Sequence, residues 1–115
     1  MKKENAIIEQ KKMEVKIKEK QVNIAVQVLP FSKEYDVYPI VDEAIRIIKE
    51  SGVKHRVTPF ETVLEGQYGV LMDVVAQVQE ICYEAGADNV LCFVKIQSHR
   101  SKTVTIEDKT GKYDK

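Results

Sequence analysis

Two segments of the chain alternate between aliphatic and more polar residues, which is the period of a β-strand with one buried face. The first begins at Val22 and ends at Pro30, because proline has no backbone N–H to donate to a neighbouring strand. The second covers residues 89–99. Each segment is therefore predicted to be a strand. The aliphatic faces consist of Val22, Ile24, Val26 and Val28 in the first segment and of Val90, Cys92, Val94 and Ile96 in the second.

Two shorter β-prone runs, residues 54–58 and 61–65, lie in the middle of the chain. They are separated by Pro59 and Phe60. A proline at this place disfavours one continuous helix and favours a tight connection between two strands. We therefore expect a pair of short strands that are neighbours in the sheet.

Between the strands, apolar residues recur at helical spacing in two places. The first helix is predicted over residues 37–51, with Asp36 as its N-cap and Gly52 as the residue that ends it. The second has an apolar stripe from Leu71 to Ala85 and is ended by Gly86. Both helices are amphipathic and should pack one face against a sheet.

The predicted order of elements is strand, helix, strand, strand, helix, strand, and its two halves are alike. In each half a helix is followed by a glycine and then by a strand, as in residues 48–57 and 81–90. Right-handed crossovers place both helices on the same face of the sheet. The expected fold class is α+β, a ferredoxin-like βαββαβ sandwich with a four-stranded antiparallel sheet and two helices on one face. Residues 22–115 would form this single domain.

Residues 1–21 differ in composition from the rest, and we expect them to be a mobile, charged appendage. They carry seven lysines and four glutamates, a net charge of +3, whereas the remaining chain has eleven basic and fourteen acidic residues, a net charge of −3. Two other arrangements remain open. The alternation of Met13, Val15 and Ile17 could lengthen the first strand, and residues 7–12 could form a short helix.

Composition and charge disfavour several partners. The mildly acidic domain shows neither a basic face with interleaved aromatic residues, as nucleic-acid binding requires, nor a glycine-rich loop for a polyphosphate. No apolar run approaches the roughly 18 residues of a membrane span, and the first residues do not resemble a secretory signal. The expectation is a cytoplasmic protein with no nucleic-acid and no membrane partner.

The sheet face that the helices leave uncovered combines apolar and polar residues. Such mixed surfaces usually associate with another molecule. We therefore expect a homo-oligomer in which a second subunit covers this face and polar groups bind a small molecule at the interface. The residues expected on this open face are Asn23, Ala25, Gln27, Leu29, Leu91, Phe93, Lys95, Gln97 and His99.

Four segments of the chain carry a family resemblance: residues 22–30, residues 47–52, residues 58–66 and the Lys95-Ile96 end of the last strand. With them the chain resembles the small thiamine-binding protein family of YkoF type, from about residue 22 to residue 113. The most specific part is the pattern of Thr, Pro, Thr, Glu and Gly within residues 58–66. The resemblance implies a ferredoxin-like domain that forms dimers and dimer-of-dimers tetramers, and that binds thiamine or its hydroxymethylpyrimidine moiety without catalysis.

The chemistry of thiamine suggests how this chain could hold it. An aminopyrimidine needs an aromatic or apolar contact together with hydrogen-bonding groups, and the thiazolium needs a carboxylate or an aromatic face. Structural roles remain open for the same residues, since strand carboxylates are often solvated and Phe93, Gln27 or Asn23 could serve a subunit interface. The predicted ligand-binding residues are Gln27, Thr62, Glu65, Glu61, Phe93 and Lys95.

Catalytic and metal sites receive little support from the sequence. Cys82 lies on the apolar stripe of a helix and Cys92 on the covered face of a strand, neither a place for a reactive thiolate. His55 and His99 lack acidic neighbours at metal-ligand spacing. We expect no enzyme activity, no metal and no cofactor, with thiamine as a ligand only. The alternative function is a regulatory or scaffolding module with another small-molecule or protein partner.

Overall fold

The computed structural model describes residues 15–114. Among them, strands and helices follow one another in the order expected of two linked βαβ units, with short 3₁₀ turns near both ends. The strands are β1 (Gln21–Phe31), β2 (Lys54–Val57), β3 (Thr62–Gln67) and β4 (Asn89–Gln97), the helices are α1 (Val37–Ser51), α2 (Tyr68–Glu84) and α3 (Ile106–Thr110), and the 3₁₀ turns are Ile17–Glu19 and Gly111–Tyr113.

The four strands form one antiparallel sheet in the order β2-β3-β1-β4. Helices α1 and α2 pack on the same face, where their apolar residues join those of β1 and β3 in one core. Val22, Ile24 and Leu64 are fully enclosed at the centre of this core. The predicted ferredoxin-like fold is confirmed. No helix in this part of the chain is long and apolar enough to cross a membrane.

The ends of α1 show why the local sequence forms a helix there. The Asp36 side chain accepts a hydrogen bond of 3.3 Å from the backbone N–H of Tyr38, so it caps the N-terminus as predicted. Gly52 adopts a φ of 77° and ends the helix. The predicted bounds of 37 and 51 are those observed.

Residues 98–114, which we call the C-terminal segment, cross the open face of the sheet. The backbone N–H of Val104 donates to the carbonyl oxygen of Gln21 at 3.4 Å. Val104 and Ile106 are both buried, and α3 follows them. The sequence does not predict this path, because two buried residues and a five-residue helix are too short to show a period. The chain itself therefore covers part of the face that was expected to meet a second subunit.

The start of the described chain packs at one end of the sheet. The carbonyl oxygen of Lys20 accepts a hydrogen bond of 2.8 Å from the backbone N–H of Tyr68, and the Lys20 ammonium donates to the carbonyl oxygen of Arg100 at 2.8 Å. Ile17 lies in a 3₁₀ turn and β1 begins at Gln21, so Val15 and Ile17 do not lengthen the strand. Residues 1–14 of the expected appendage lie outside the described residues.

Candidate functional site

A cavity of about 510 Å³ lies between the open face of the sheet and the C-terminal segment. This volume falls within the range of roughly 300–1,000 Å³ that is typical of small-molecule sites. We call it the open-face cavity. Its lining comes from all four strands, from the β2–β3 turn and from α3: Asn23, Ala25, Arg56, Thr58, Glu61, Val63, Lys95, Ile96, Gln97, Ile106, Lys109 and Thr110.

A small residue on the open face of the sheet, Ala25, leaves space for the cavity. Ala25 lies at the centre of the sheet, paired with Val63 on β3 and with Lys95 on β4. A methyl group in this position leaves space that a larger residue would fill. Ile106 lies on the C-terminal side of the same space. The floor and part of the roof are therefore apolar, with polar and charged groups around them.

Two of the predicted ligand-binding residues form an ion pair in this cavity. The Lys95 ammonium lies 2.9 Å from a carboxylate oxygen of Glu61, and the two side chains are 74% and 26% exposed. The pair joins β4 to the residue that precedes β3. An ion pair in which one partner is largely exposed contributes about 0–1 kcal/mol to stability, so separating Lys95 from Glu61 costs little.

The turn before β3 fixes the position of Glu61. The Thr58 hydroxyl donates to the carbonyl oxygen of Glu61 at 2.6 Å and accepts from the backbone N–H of Glu61 at 3.1 Å. The backbone N–H of Thr58 donates to the same carbonyl oxygen at 2.9 Å. The Thr-Pro pattern in residues 58–66 therefore closes a rigid turn that holds a carboxylate at the rim of the cavity.

Glu65 is also on the open face, but both oxygens of its carboxylate already have partners within the chain. One oxygen accepts a hydrogen bond of 2.6 Å from the backbone N–H of Ile106, and the other lies 3.5 Å from the Lys54 ammonium. Only 9% of its side chain is exposed. Glu65 thus holds the start of α3 over the sheet, and it is not among the cavity-lining residues.

Arg56 contributes a further charge, and it is not among the predicted site residues. Its guanidinium donates to both carboxylate oxygens of Asp114 at 2.9 and 2.6 Å, and to the Thr110 hydroxyl at 3.3 Å. The hydrogen bonds that Arg56 donates to Asp114 raise the pKa of Arg56, so the guanidinium stays charged. The pairing residues are 58 positions apart, and no local pattern could have indicated it.

Gln27 and Phe93 lie farther along the open face, outside the open-face cavity. They are opposite each other on β1 and β4, next to the pair formed by Leu29 and Leu91. Phe93 is 50% exposed, and both leucines are exposed as well. The C-terminal segment does not cover this part of the sheet. We call these three apolar residues, Leu29, Leu91 and Phe93, the apolar patch.

Thr62 points to the other side of the sheet. It lies opposite Val26, a core residue, and is itself buried on the face that carries the helices. A second cavity there, lined by Thr62 among others, measures only about 120 Å³, below the usual size for a small-molecule site. Gln27 and Glu61 border it too. Thr62 and Glu65 occupy opposite faces of β3 and cannot contact the same small ligand.

The two cysteines lie away from the open-face cavity. Burial raises the pKa of the Cys82 thiol, with a smaller contribution from the neighbouring Cys92, and burial also raises the pKa of Cys92. Both thiols are therefore protonated at neutral pH. Among residues 15–114, no group of three or more His, Cys, Asp and Glu side chains is placed to hold a metal ion.

Several known proteins are similar to this chain in sequence and structure. A family model described as thiamine-binding protein matches residues 24–114. A UPF0045 protein from Clostridium perfringens is 41% identical over 91 residues, which are 79% of this chain and 95% of that protein. A solved domain of unknown function from Bacillus cereus is 41% identical with a TM-score of 0.80, covering 86% of this chain and 95% of its own. A solved structure of a candidate thiamine biosynthesis or salvage protein from Thermotoga maritima is 27% identical with a TM-score of 0.72. The match covers 81% of this chain and 98% of that protein.

Proposed function

Because the chain belongs to the thiamine-binding protein family, as the resemblance of residues 22–113 predicted, we propose that it binds thiamine or its hydroxymethylpyrimidine moiety reversibly in the open-face cavity. The observation that carries this proposal is the size and place of the cavity, about 510 Å³ between the sheet and the C-terminal segment. The smaller cavity under the helices has too little space for such a ligand.

One carboxylate and the apolar surfaces of the cavity suit the parts of thiamine, and the three basic side chains in the lining are Arg56, Lys95 and Lys109. Its thiazolium is a permanent cation, and the Glu61 carboxylate is the acidic group among the cavity-lining residues. The ligand cation would replace the Lys95 ammonium beside Glu61. The flat rings would lie against Ala25, Val63 and Ile106, while polar groups at the rim would bond to ring nitrogens and the amine.

The proposed role is non-catalytic: the protein would buffer, deliver or sense the vitamin in the cytoplasm. The protonated thiols of Cys82 and Cys92 support this, because a thiol must lose its proton to act as a nucleophile. The site also offers a carboxylate already paired with an ammonium rather than an isolated acid or base. Binding and release then require no covalent step.

We also propose that the protein is a homo-oligomer, a dimer or a dimer-of-dimers tetramer. The apolar patch supports this, because it presents three neighbouring large side chains on a sheet face that the C-terminal segment leaves open. In the oligomer a second subunit would cover Phe93, and Gln27 would bond across the interface. The patch is separate from the cavity, so association and ligand binding can be tested independently.

Calorimetric titration of the full-length protein with thiamine, hydroxymethylpyrimidine and thiamine diphosphate tests the proposal. We expect saturable binding of thiamine and a rise in melting temperature, since a ligand that binds the native state stabilises it. Glu61→Gln should weaken thiamine binding about tenfold, as expected for loss of a charge-assisted contact. Glu34→Gln, on an exposed loop, is the matched control. Absence of heat and of thermal stabilisation at millimolar thiamine would contradict the proposal and favour a regulatory module with another partner.

A further inference from the structure

Asn23 is an unusual residue for the centre of a sheet. It lies on β1 between Glu65 of β3 and Gln97 of β4, and only 4% of it is exposed. Asparagine is disfavoured in strands because it has a short polar side chain that must be hydrogen-bonded when it is buried. The C-terminal segment encloses it from above, and it is one of the residues that line the open-face cavity.

The orientation of the Asn23 amide follows from its neighbours. The amide nitrogen lies 3.4 Å from the carbonyl oxygen of Val22 and 3.4 Å from that of Val104. Both neighbours are acceptors, so the opposite orientation would place the amide oxygen against two carbonyl oxygens. The nitrogen therefore faces the backbone, and the oxygen Oδ1 is the atom left over.

Oδ1 of Asn23 is buried and has no hydrogen-bond donor among the described residues. A buried acceptor without a donor is costly, and proteins keep such groups rarely. The two bonds from the amide nitrogen are long at 3.4 Å, and the terminal torsion of an asparagine is soft. A small turn of the amide would present Oδ1 to the cavity without losing strong contacts.

We propose that Asn23 is a ligand-binding residue and that its Oδ1 accepts a hydrogen bond from an N–H donor of the ligand, the exocyclic amine in the case of an aminopyrimidine. This inference rests on the proposed function and names the group that recognises the pyrimidine end. It also assigns a direction to the ligand: the amine lies beside Asn23, and the cationic ring lies beside Glu61.

Oxythiamine is the probe for this inference, because it has a carbonyl oxygen where thiamine has the amine. The wild-type protein should bind thiamine about tenfold more tightly than oxythiamine, since the analogue leaves Oδ1 without its donor. Asn23→Ala should remove this preference. Gln77→Ala, a change of an exposed amide on α2 that does not line the cavity, is the matched control and should retain it. Thermal melts of both variants report whether they fold.

A second measurement does not depend on a variant. The side-chain amide resonances of Asn23 in ¹⁵N-labelled wild-type protein should shift on addition of thiamine and remain unchanged with equal occupancy of oxythiamine. If the wild-type protein binds both compounds equally and these resonances do not move, the inference fails while the proposed function stands. If neither compound binds, the proposed function fails and the inference fails with it.

Discussion

The ammonium of Lys95 lies 2.9 Å from the carboxylate of Glu61, and Lys95 is paired on the sheet with Ala25 of the central strand. The two residues are at the rim of the open-face cavity. The pair neutralises the carboxylate in the absence of ligand. It also means that any cation bound beside Glu61 competes with a cation of the protein itself.

Removing the Lys95 ammonium should strengthen the binding of a cationic ligand. In Lys95→Met the aliphatic part of the side chain is kept and Glu61 loses its internal partner. We expect thiamine to bind about two- to fivefold more tightly, in line with the small energy of an exposed pair, and the gain to be smaller at high salt. Calorimetry at two salt concentrations measures this, with the exposed Lys102→Met as control. Weaker binding would show instead that Lys95 contacts the ligand directly.

Glu65 should act on the C-terminal segment rather than on the ligand. In Glu65→Gln the charge-assisted hydrogen bond to the backbone N–H of Ile106 is weakened. We expect a loss of about 1.5–3 kcal/mol in the free energy of unfolding, the usual contribution of a hydrogen bond to a charged group. Urea denaturation measures this loss, and limited proteolysis should show faster cleavage within residues 98–114.

Glu61→Gln provides the comparison, because its carboxylate is paired with the largely exposed Lys95 ammonium and holds no backbone group of the C-terminal segment. The free energy of unfolding of Glu61→Gln should fall by less than about 1 kcal/mol, and proteolysis of the C-terminal segment should not change. Equal losses in both variants would contradict the role assigned to Glu65.

The two thiols should be unreactive in the native protein. Because burial raises the pKa of Cys82 and Cys92, iodoacetamide at pH 7.5 should modify them far more slowly than in urea. The same shifts make the free energy of unfolding depend on pH. These thiols should leave it unchanged below the unfolded-state pKa of about 8.5, and it should fall as the pH rises from there through the higher folded-state pKa values. Fast native-state alkylation of Cys82 would contradict its burial.

The apolar patch should control association and not ligand binding. Phe93→Arg places a charge at the centre of the patch, where it would be buried by a second subunit. We expect light scattering to report a smaller particle than for the wild type, while Tyr38→Arg, a change of an exposed aromatic residue on α1, leaves the mass unchanged. A wild-type protein that is already monomeric would contradict the proposed oligomer.

The fold could be predicted because its signals are local and long enough to read. Helix α1 has both a capping aspartate and a terminating glycine, and β1 alternates over four aliphatic positions. The faces of strand β3 are harder to predict. Val63 and Leu64 are adjacent and both apolar, so the sequence does not show which face each occupies. Thr62 and Glu65 are both predicted ligand-binding residues because both belong to the family pattern in residues 58–66, but they are three positions apart and strand alternation places them on opposite faces.

The cavity was only partly predictable for a different reason. Glu61, predicted as a carboxylate that could face the thiazolium, and Lys95, predicted on the open face of the last strand, do lie together. Asn23 was expected on an uncovered face and is instead enclosed by Val104 of its own chain. Such contacts join residues 81 positions apart, and they depend on the path of a segment whose sequence has too few apolar residues to reveal it.

A crystal structure of the full-length protein grown with thiamine would show where the ligand binds. We expect electron density for the ligand over Ala25, with its thiazolium beside Glu61 and the Lys95 ammonium displaced from the 2.9 Å contact. Density for thiamine on the helix-covered side near Thr62, or within the apolar patch while the open-face cavity stays unoccupied, would contradict it.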